Sequence, residues 1–144
     1  MRIWIVNYYT SPDCSNPRYL QFAKHFMAKG WDVSTFYANW NGADTDPLFK
    51  RETVNGLDFM QVKAPHYVGN GVSRMKSIFS FAWSIKNHCK EFEKPDVILH
   101  NVHTPFDYPI VWAAKKLNAK YIAEVWDAWP DVFAHLGLVS RKNP

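Results

Sequence analysis

Short apolar runs alternate with polar loops along this chain of 144 residues. Runs of this kind are typical of strands buried in a parallel sheet. Four of them are predicted to be core strands, at residues 2–6, 31–37, 96–100 and 120–125. Two further segments, at 51–54 and 57–62, flank the dipeptide Asn55-Gly56. That dipeptide favours a two-residue β-hairpin turn.

The segments between the strands carry apolar residues at helical spacing. Helices are predicted over residues 18–29, 70–92, 105–117 and 130–136. Gly30 and Asn118 are placed where a left-handed residue ends a helix. The alternation predicts one α/β domain over residues 1–144. Its expected fold is a doubly wound, mainly parallel Rossmann-like sheet with helices on both faces and a β-hairpin insertion.

Composition narrows the function classes. Aromatic residues make up 17% of the chain, more than a small core needs, so some rings are expected to contact a ligand, a partner or a membrane. The net charge of +4 mildly favours anionic partners, but no Lys/Arg cluster occurs, so no nucleic acid partner is expected. Cys14 and Cys89 fit no zinc or redox spacing and suit a reducing compartment. The apolar start is too short for a signal or membrane helix, which predicts a cytoplasmic protein.

Three loops are candidate functional sites, because ligands of open α/β sheets bind beyond the carboxyl ends of the strands. The first spans residues 7–18 and leads into a predicted helix N-terminus, where Arg18 suits a phosphate or another anion. The alternative for Arg18 is a solvated residue on a capped helix. The loop contains no G-x-G-x-x-G pattern, so a dinucleotide is not expected there.

The second loop, residues 100–105, contains His100 and His103. A histidine at a strand end can act as a general base or hydrogen-bond a sugar hydroxyl. Strand alternation places the two on different sides, so at most one is expected to face a site. The alternative is one histidine packed on the sheet and one exposed. No metal site is expected, because no third ligand lies nearby in the sequence.

The third loop, residues 124–130, places acidic residues among indole rings. Acids beside aromatic rings often have shifted pKa values and mark functional sites, and Trp faces stack on sugar rings. Asp131 is expected to cap the following helix. For Asp127 two interpretations remain, a helix cap and a functional acid.

Four segments resemble a known family: residues 2–7, residues 17–33, Lys94-Pro95-Asp96-Val97-Ile98, and Glu124-Val125-Trp126-Asp127-Ala128-Trp129-Pro130-Asp131. Together they resemble the N-terminal half of a GT-B glycosyltransferase of the retaining group called family 4. The last segment is similar to the E-x-R-D-x-W-P-E pattern of a branch that makes bacterial surface polysaccharides. Trp126 stands where that branch usually has arginine.

The resemblance implies an enzyme built from two Rossmann-like domains that face each other across a cleft. This chain resembles the acceptor-binding half, and the C-terminal donor-binding domain is expected to be absent. The implied activity is that of a retaining, hexosyltransferase-like enzyme that moves a sugar from a nucleotide-sugar donor to a glycan or lipid-linked acceptor. No cofactor and no metal are implied, and the chain alone is expected to be inactive.

The resemblance also implies roles for single residues. The catalytic candidates are His103 and Asp127. The substrate-binding candidates are Asn16, Arg18, Glu124 and Trp126.

Helix 70–92 combines basic and apolar residues, which suit peripheral contact with the inner face of a membrane. These residues are Arg74, Lys76 and Lys86 with Ile78, Phe79, Phe81, Trp83 and Ile85. The alternative is that the apolar side covers the sheet and the charges face water.

The main alternative for the whole chain is a non-catalytic binding or interaction module with a Rossmann-like fold.

Overall fold

A computed structural model describes residues 1–14 and 18–126, and its six strands form a single sheet. The strands are β1 (Arg2–Val6), β2 (Asp32–Asn39), β3 (Phe49–Val54), β4 (Leu57–Lys63), β5 (Val97–Val102) and β6 (Lys120–Val125). Their order across the sheet is β3-β4-β2-β1-β5-β6. The pair β3 and β4 is antiparallel, and the other neighbouring strands run parallel.

Helices pack on both faces of this sheet. The α-helices are α1 (Arg18–Ala28), α2 (Val72–His88) and α3 (Pro109–Leu117). Tyr19 and Ala23 of α1 bury against one face, beside Ile3 and Ile5 of β1. The buried residues of α2 and α3 cover the opposite face. The predicted doubly wound Rossmann-like architecture with a hairpin insertion is therefore confirmed.

Three turns follow from residues that tolerate a positive φ. Gly30 has φ 76° and its N–H donates to the carbonyl oxygen of Met27 at 2.8 Å, which ends α1. Asn118 has φ 51° and ends α3. Asn55 and Gly56 have φ 52° and 77° and form the turn between β3 and β4, as predicted.

The predicted helix over residues 105–117 is divided. A 3-10 helix covers Pro105–Asp107, and α3 begins only at Pro109. The proline ring lacks an N–H and crowds the preceding turn, so a continuous α-helix cannot pass through Pro109. Thr104 caps the 3-10 segment, since its hydroxyl accepts from the backbone N–H of Phe106 at 3.2 Å. Helix 70–92 likewise ends its α-helical part at His88 and continues as a 3-10 helix, Cys89–Glu91.

Two strand predictions need correction. Strand β5 extends past the predicted end at His100 to Val102, so Asn101 belongs to the strand and not to the following loop. Strand β6 was expected in the core, but among the described strands it lies at an edge and pairs only with β5. With one neighbour, it leaves Ile122 51% and Val125 58% exposed. The helix expected over residues 130–136 lies outside the described residues.

Candidate functional site

The ends of β1, β5 and β6 form a crevice at one edge of the sheet. From β1 the chain continues to β2 on one side, and it later returns to β5 on the other side. The loops after β1 and β5 therefore diverge, and such switch points are where ligands of open α/β sheets bind. Asn7 follows β1, His103 follows β5 and Trp126 follows β6.

A cavity of about 70 Å³ lies in this crevice. We call it the histidine pocket, and it is lined by Asn7, Tyr9, Thr10, Cys14, Tyr19, His103 and Trp126. The structure thus brings together two of the sequence-predicted site residues, His103 and Trp126. Whether either contacts a substrate stays a prediction.

Two buried asparagines lie at the base of the crevice and connect its strands by hydrogen bonds. Asn7 is 3% and Asn101 1% exposed, and Nδ2 of Asn7 donates to Oδ1 of Asn101 at 3.2 Å. Nδ2 of Asn101 donates in turn to the backbone carbonyl of Glu124 at 3.3 Å. Oδ1 of Asn7 accepts from the backbone N–H of Tyr9 at 2.8 Å. These amides join the ends of β1, β5 and β6, and sequence reasoning assigned them no role.

His103 is oriented from several sides. Its Nε2 lies 3.5 Å from Oδ1 of Asn7, and its ring meets the ring of Tyr9 edge-on with centroids 4.9 Å apart. Its backbone N–H donates to Oδ2 of Asp107 at 2.9 Å. The imidazole is therefore held at the pocket wall by both neighbouring loops.

His100 has a different environment. It is 2% exposed, and its Nδ1 pairs with the Tyr121 hydroxyl at 2.8 Å. Its Nε2 lies 3.5 Å from Oδ2 of the buried Asp107. Burial and the nearby Asp107 carboxylate raise the pKa of Tyr121 to about 12. His100 is thus packed in the interior, and His103 alone of the pair lines the histidine pocket.

Arg18 and Glu124, both substrate-binding candidates, pair with each other. The guanidinium of Arg18 and the hydroxyl of Tyr19 both donate to the Glu124 carboxylate. Burial raises the pKa of Tyr19, and the hydrogen bond to Glu124 raises it further. Because Glu124 balances the charge of Arg18, an anion that approaches this helix end must compete with the carboxylate.

Trp126 covers this cluster from the loop after β6. Its ring stacks on Tyr19 with centroids 5.8 Å apart and planes at 11°, and the Arg18 guanidinium lies 5.3 Å from its centroid. The side chain is still 44% exposed. The indole thus contacts Tyr19 and Arg18 within the protein, while a large part of it remains accessible to a ligand.

A second cavity, of about 270 Å³, lies beside the first. We call it the Trp40 pocket, and it is lined by Tyr8, Tyr9, Ser11, Asp13, Tyr37, Ala38, Asn39, Trp40, Asn41 and Gln61. Its lining combines aromatic rings with amide and carboxyl side chains. Sequence reasoning missed this pocket. The sequence feature that could have indicated it is the loop rich in Asn and Asp that follows β2. Trp40 in this loop belongs to no strand or helix.

Two predicted site residues, Asn16 and Asp127, lie outside the described residues. Within residues 1–14 and 18–126, no group of three or more His, Cys, Asp or Glu side chains is arranged to hold a metal ion.

No protein-family model matches the sequence, and no curated protein sequence matches it. Several solved structures are similar to the chain. The chain is similar to trehalose-6-phosphate synthase from E. coli bound with UDP-2-fluoro glucose, at 9% identity and a TM-score of 0.55 over 87% of this chain and 32% of that one. It is similar to sucrose-phosphate synthase from Thermosynechococcus elongatus, at 13% identity and a TM-score of 0.59 over 92% and 34%.

The shared property is the Rossmann-like fold. The chain spans about a third of the length of these two synthases. It also matches the C-terminal domain of the PF1911 hydrogenase from Pyrococcus furiosus, at 13% identity and a TM-score of 0.59 over 85% of this chain and 89% of that one. A fold that appears in synthases and in a hydrogenase does not by itself identify a function.

Proposed function

We propose that this chain is the acceptor-binding part of a glycosyltransferase. The observation that supports this best is the junction of the two pockets at the switch point, where Tyr9 lines both. Aromatic rings stack on the apolar faces of sugars, while amide and carboxyl groups hydrogen-bond to sugar hydroxyls. The Trp40 pocket offers both kinds of group, with Trp40 and Tyr9 beside Asn39, Asn41 and Gln61.

The acceptor sugar occupies the Trp40 pocket in this proposal, and the transferred sugar lies at the histidine pocket. The nucleotide sugar is held by a second, donor-binding domain across a cleft. Two observations support this division: the similar synthases are about three times as long as this chain, and one of them was solved with UDP-2-fluoro glucose.

His103 and Asp127 are the proposed catalytic residues. The His103 imidazole, oriented by Asn7 and Tyr9, contacts the transferred sugar. Asp127, which follows Trp126 in the chain, contacts sugar hydroxyls. A retaining reaction in which the leaving phosphate takes the acceptor's proton depends on positioning and electrostatic stabilisation more than on a dedicated base. Asn16, Arg18, Glu124 and Trp126 are proposed to bind substrate. In that role, Arg18 exchanges its contact with Glu124 for an acceptor group or a phosphate.

The proposed acceptor is a glycan or a lipid-linked glycan of the kind used for bacterial surface polysaccharides. The proposed location is cytoplasmic, at the inner face of the membrane, where lipid-linked acceptors are found. No helix in the described part of the chain is long and apolar enough to cross a membrane.

Titration of the chain with oligosaccharides, followed by two-dimensional NMR, tests the proposal. We expect chemical-shift changes at Tyr9, Trp40 and His103. The variant Trp40→Ala should lose this binding. Trp112→Ala, which removes an exposed indole on another face, is the matched control and should retain it. Shift changes confined to other faces, or equal losses in both variants, would contradict the proposed site.

A second candidate function is a non-catalytic binding module. It remains open because the same fold also occurs in a domain of a hydrogenase, so the fold does not require sugar transfer. The same titration separates the candidates when the chain is joined to a donor-binding domain. Saccharide binding with turnover supports the enzyme, and saccharide binding without turnover supports the module.

A further inference from the structure

A guanidinium and two tyrosine hydroxyls meet between α2 and the loop after β1. Nε of Arg74 donates to the Tyr9 hydroxyl at 3.0 Å, and the guanidinium carbon lies 5.7 Å from the centroid of the Tyr9 ring. The hydroxyl of Tyr67 lies 3.5 Å from that of Tyr9. Nη1 of Arg74 also donates to Oδ1 of Asn70 at 2.6 Å. We call Arg74, Tyr9 and Tyr67 the arginine cluster.

The positive charge of the arginine cluster is not balanced by a carboxylate in the described part of the chain. The two groups that accept from Arg74 are a hydroxyl and an amide oxygen. None of the ion pairs within residues 1–14 and 18–126 includes Arg74. Its side chain is only partly buried, and a guanidinium carries more N–H donors than these two bonds use. The remaining donors can therefore bind an anion.

The two hydroxyls of the cluster can donate to the same anion. The Tyr9 oxygen accepts from Arg74, so its own hydrogen is available to another acceptor. The pKa of Tyr67 is raised to about 12, first by burial and then by the hydrogen bond to Tyr9, against the opposing charge of Arg74. Tyr67 therefore keeps its O–H at neutral pH. A guanidinium beside two O–H groups forms a donor-rich site of the kind that holds an anionic oxygen.

The arginine cluster adjoins the Trp40 pocket through two aromatic rings. Tyr9 belongs to both the cluster and the lining of the pocket. Tyr67 meets the Trp40 ring with centroids 5.4 Å apart. A sugar ring in the Trp40 pocket thus lies next to the cluster, and a charged substituent on that ring is the natural ligand of the guanidinium.

The charges near the Trp40 pocket differ between its two sides. The Asp13 carboxylate contributes to the raised pKa of Tyr37, whose main cause is burial, and Tyr37 packs with the buried side of α1. Arg74 belongs to α2, which covers the opposite face of the sheet. A ligand with one negative charge is therefore attracted on the α2 side and repelled on the α1 side, so its charge determines its orientation.

We propose that the arginine cluster binds the carboxylate of an acidic sugar whose ring lies in the Trp40 pocket. This inference rests on the proposed function and adds a substrate class to it, an acceptor that carries a uronic acid. The planar guanidinium matches the geometry of a carboxylate, with which it forms two parallel hydrogen bonds. One cation balances one negative charge, which favours a carboxylate over a doubly charged phosphate.

Two methyl glycosides that differ in one group test the proposal. Methyl β-D-glucuronide has a carboxylate where methyl β-D-glucoside has a hydroxymethyl group. Titration of the 144-residue chain with each sugar, followed by two-dimensional NMR, gives the two affinities. The glucuronide should bind about tenfold more tightly, as expected for a charge-assisted hydrogen bond, and should shift the signals of Tyr9, Trp40 and Tyr67. Added salt should reduce this preference.

Three variants identify the group that recognises the carboxylate. Arg74→Gln should abolish the preference for the glucuronide, and Tyr67→Phe should reduce it because one O–H donor is lost. Lys76→Gln is the matched control, since it removes the same charge from an exposed position of α2, and it should retain the preference. The readout is the ratio of the two affinities, because a displaced Tyr9 ring would weaken the binding of both sugars alike.

Equal affinities for the two glycosides would overturn this inference and leave the acceptor-binding proposal intact. Equal losses for both glycosides in Arg74→Gln would also overturn it, since Arg74 would then only support Tyr9. Sodium acetate is the third probe, and if it bound as tightly as the glucuronide, the sugar ring would not be recognised and the inference would be wrong. Loss of the preference in Lys76→Gln would contradict it as well. Failure of the proposed function is distinct, because in that case the neutral oligosaccharides would not bind at Tyr9 and Trp40 either.

Discussion

The side chain of Asn7 donates a hydrogen bond to that of Asn101 at 3.2 Å and so joins the ends of β1 and β5 inside the protein. The substitution Asn101→Leu removes the acceptor oxygen, so the buried Nδ2 of Asn7 loses this hydrogen bond. We expect a loss of about 1–3 kcal/mol in the free energy of unfolding. Urea denaturation measures it. Asn87→Leu, at an exposed position of α2, is the control and should stay within about 0.5 kcal/mol of the wild type. Equal effects would mean that the buried amide pair is not a special support of the crevice.

The carboxylate of Glu124 determines how available Arg18 is to an anion. Glu124→Gln removes the balancing charge, so the affinity for UDP or inorganic phosphate should rise by about threefold at low salt. The pKa of Tyr19 should fall because the contribution of the carboxylate is lost. It should stay above its ordinary value because burial is the largest cause of the rise. Calorimetry measures the affinity, and carbon-13 NMR of the tyrosine ring measures the pKa. If Arg18→Ala/Glu124→Gln binds the anion as tightly as Glu124→Gln, the gain does not come from Arg18.

Alkaline pH should destabilise the protein through Tyr121. Its pKa is raised to about 12 in the folded state, against 10.0 ordinarily, so the folded protein holds this proton more tightly than the unfolded chain does. The resulting stability is fully present below about pH 10 and is lost as the pH rises towards about 12. Tyr121→Phe should be less stable at neutral pH by about 1 kcal/mol, because the hydrogen bond to His100 is lost. Urea unfolding across this pH range should show the difference shrinking. A constant difference would show that Tyr121 does not titrate in this way.

His103 and Asp127 are predicted to matter for turnover and little for folding. In a protein that joins this chain to a donor-binding domain, His103→Ala and Asp127→Ala should each reduce kcat by about 100-fold or more. Release of the nucleotide gives the rate, and circular dichroism checks the fold. His25→Ala, on α1, should leave the rate unchanged. If His103→Ala and Asp127→Ala kept the wild-type rate, neither residue would be catalytic. The 144-residue chain by itself should show no turnover.

The local parts of the fold were predictable from the sequence. Asn55-Gly56 predicts its hairpin because few residues accept a positive φ at two successive positions, and Gly30 predicts the end of α1 for the same reason. Among the described strands, the hairpin signal predicted β3 and β4 and apolar runs predicted the others, although β2 and β5 extend two residues beyond the predicted ends. The division before Pro109 was also predictable, since proline interrupts a helix beyond its first turn and is well placed where a helix begins.

The site was less predictable because its contacts join distant segments. Arg18 and Glu124 are 106 residues apart, and no periodicity indicates that they pair. The order of the strands decides this, since it brings the ends of β1, β5 and β6 together. The Trp40 pocket depends in the same way on loops after β1 and β2 and on Gln61 of β4. Alternation along a strand did separate His100 from His103, because that property is local.

Tyr9 is a wall shared by the histidine pocket and the Trp40 pocket. Its hydroxyl accepts from Nε of Arg74 at 3.0 Å, and its ring meets the His103 ring edge-on. A molecule that moves this ring in one cavity changes the shape of the other. If a ligand does move the ring, its effect is reciprocal: whatever factor the first ligand imposes on the affinity of the second, the second imposes on the first. In the proposed function the two cavities hold the acceptor sugar and the transferred sugar, so Tyr9 would determine how strongly the binding of one sugar changes the affinity for the other.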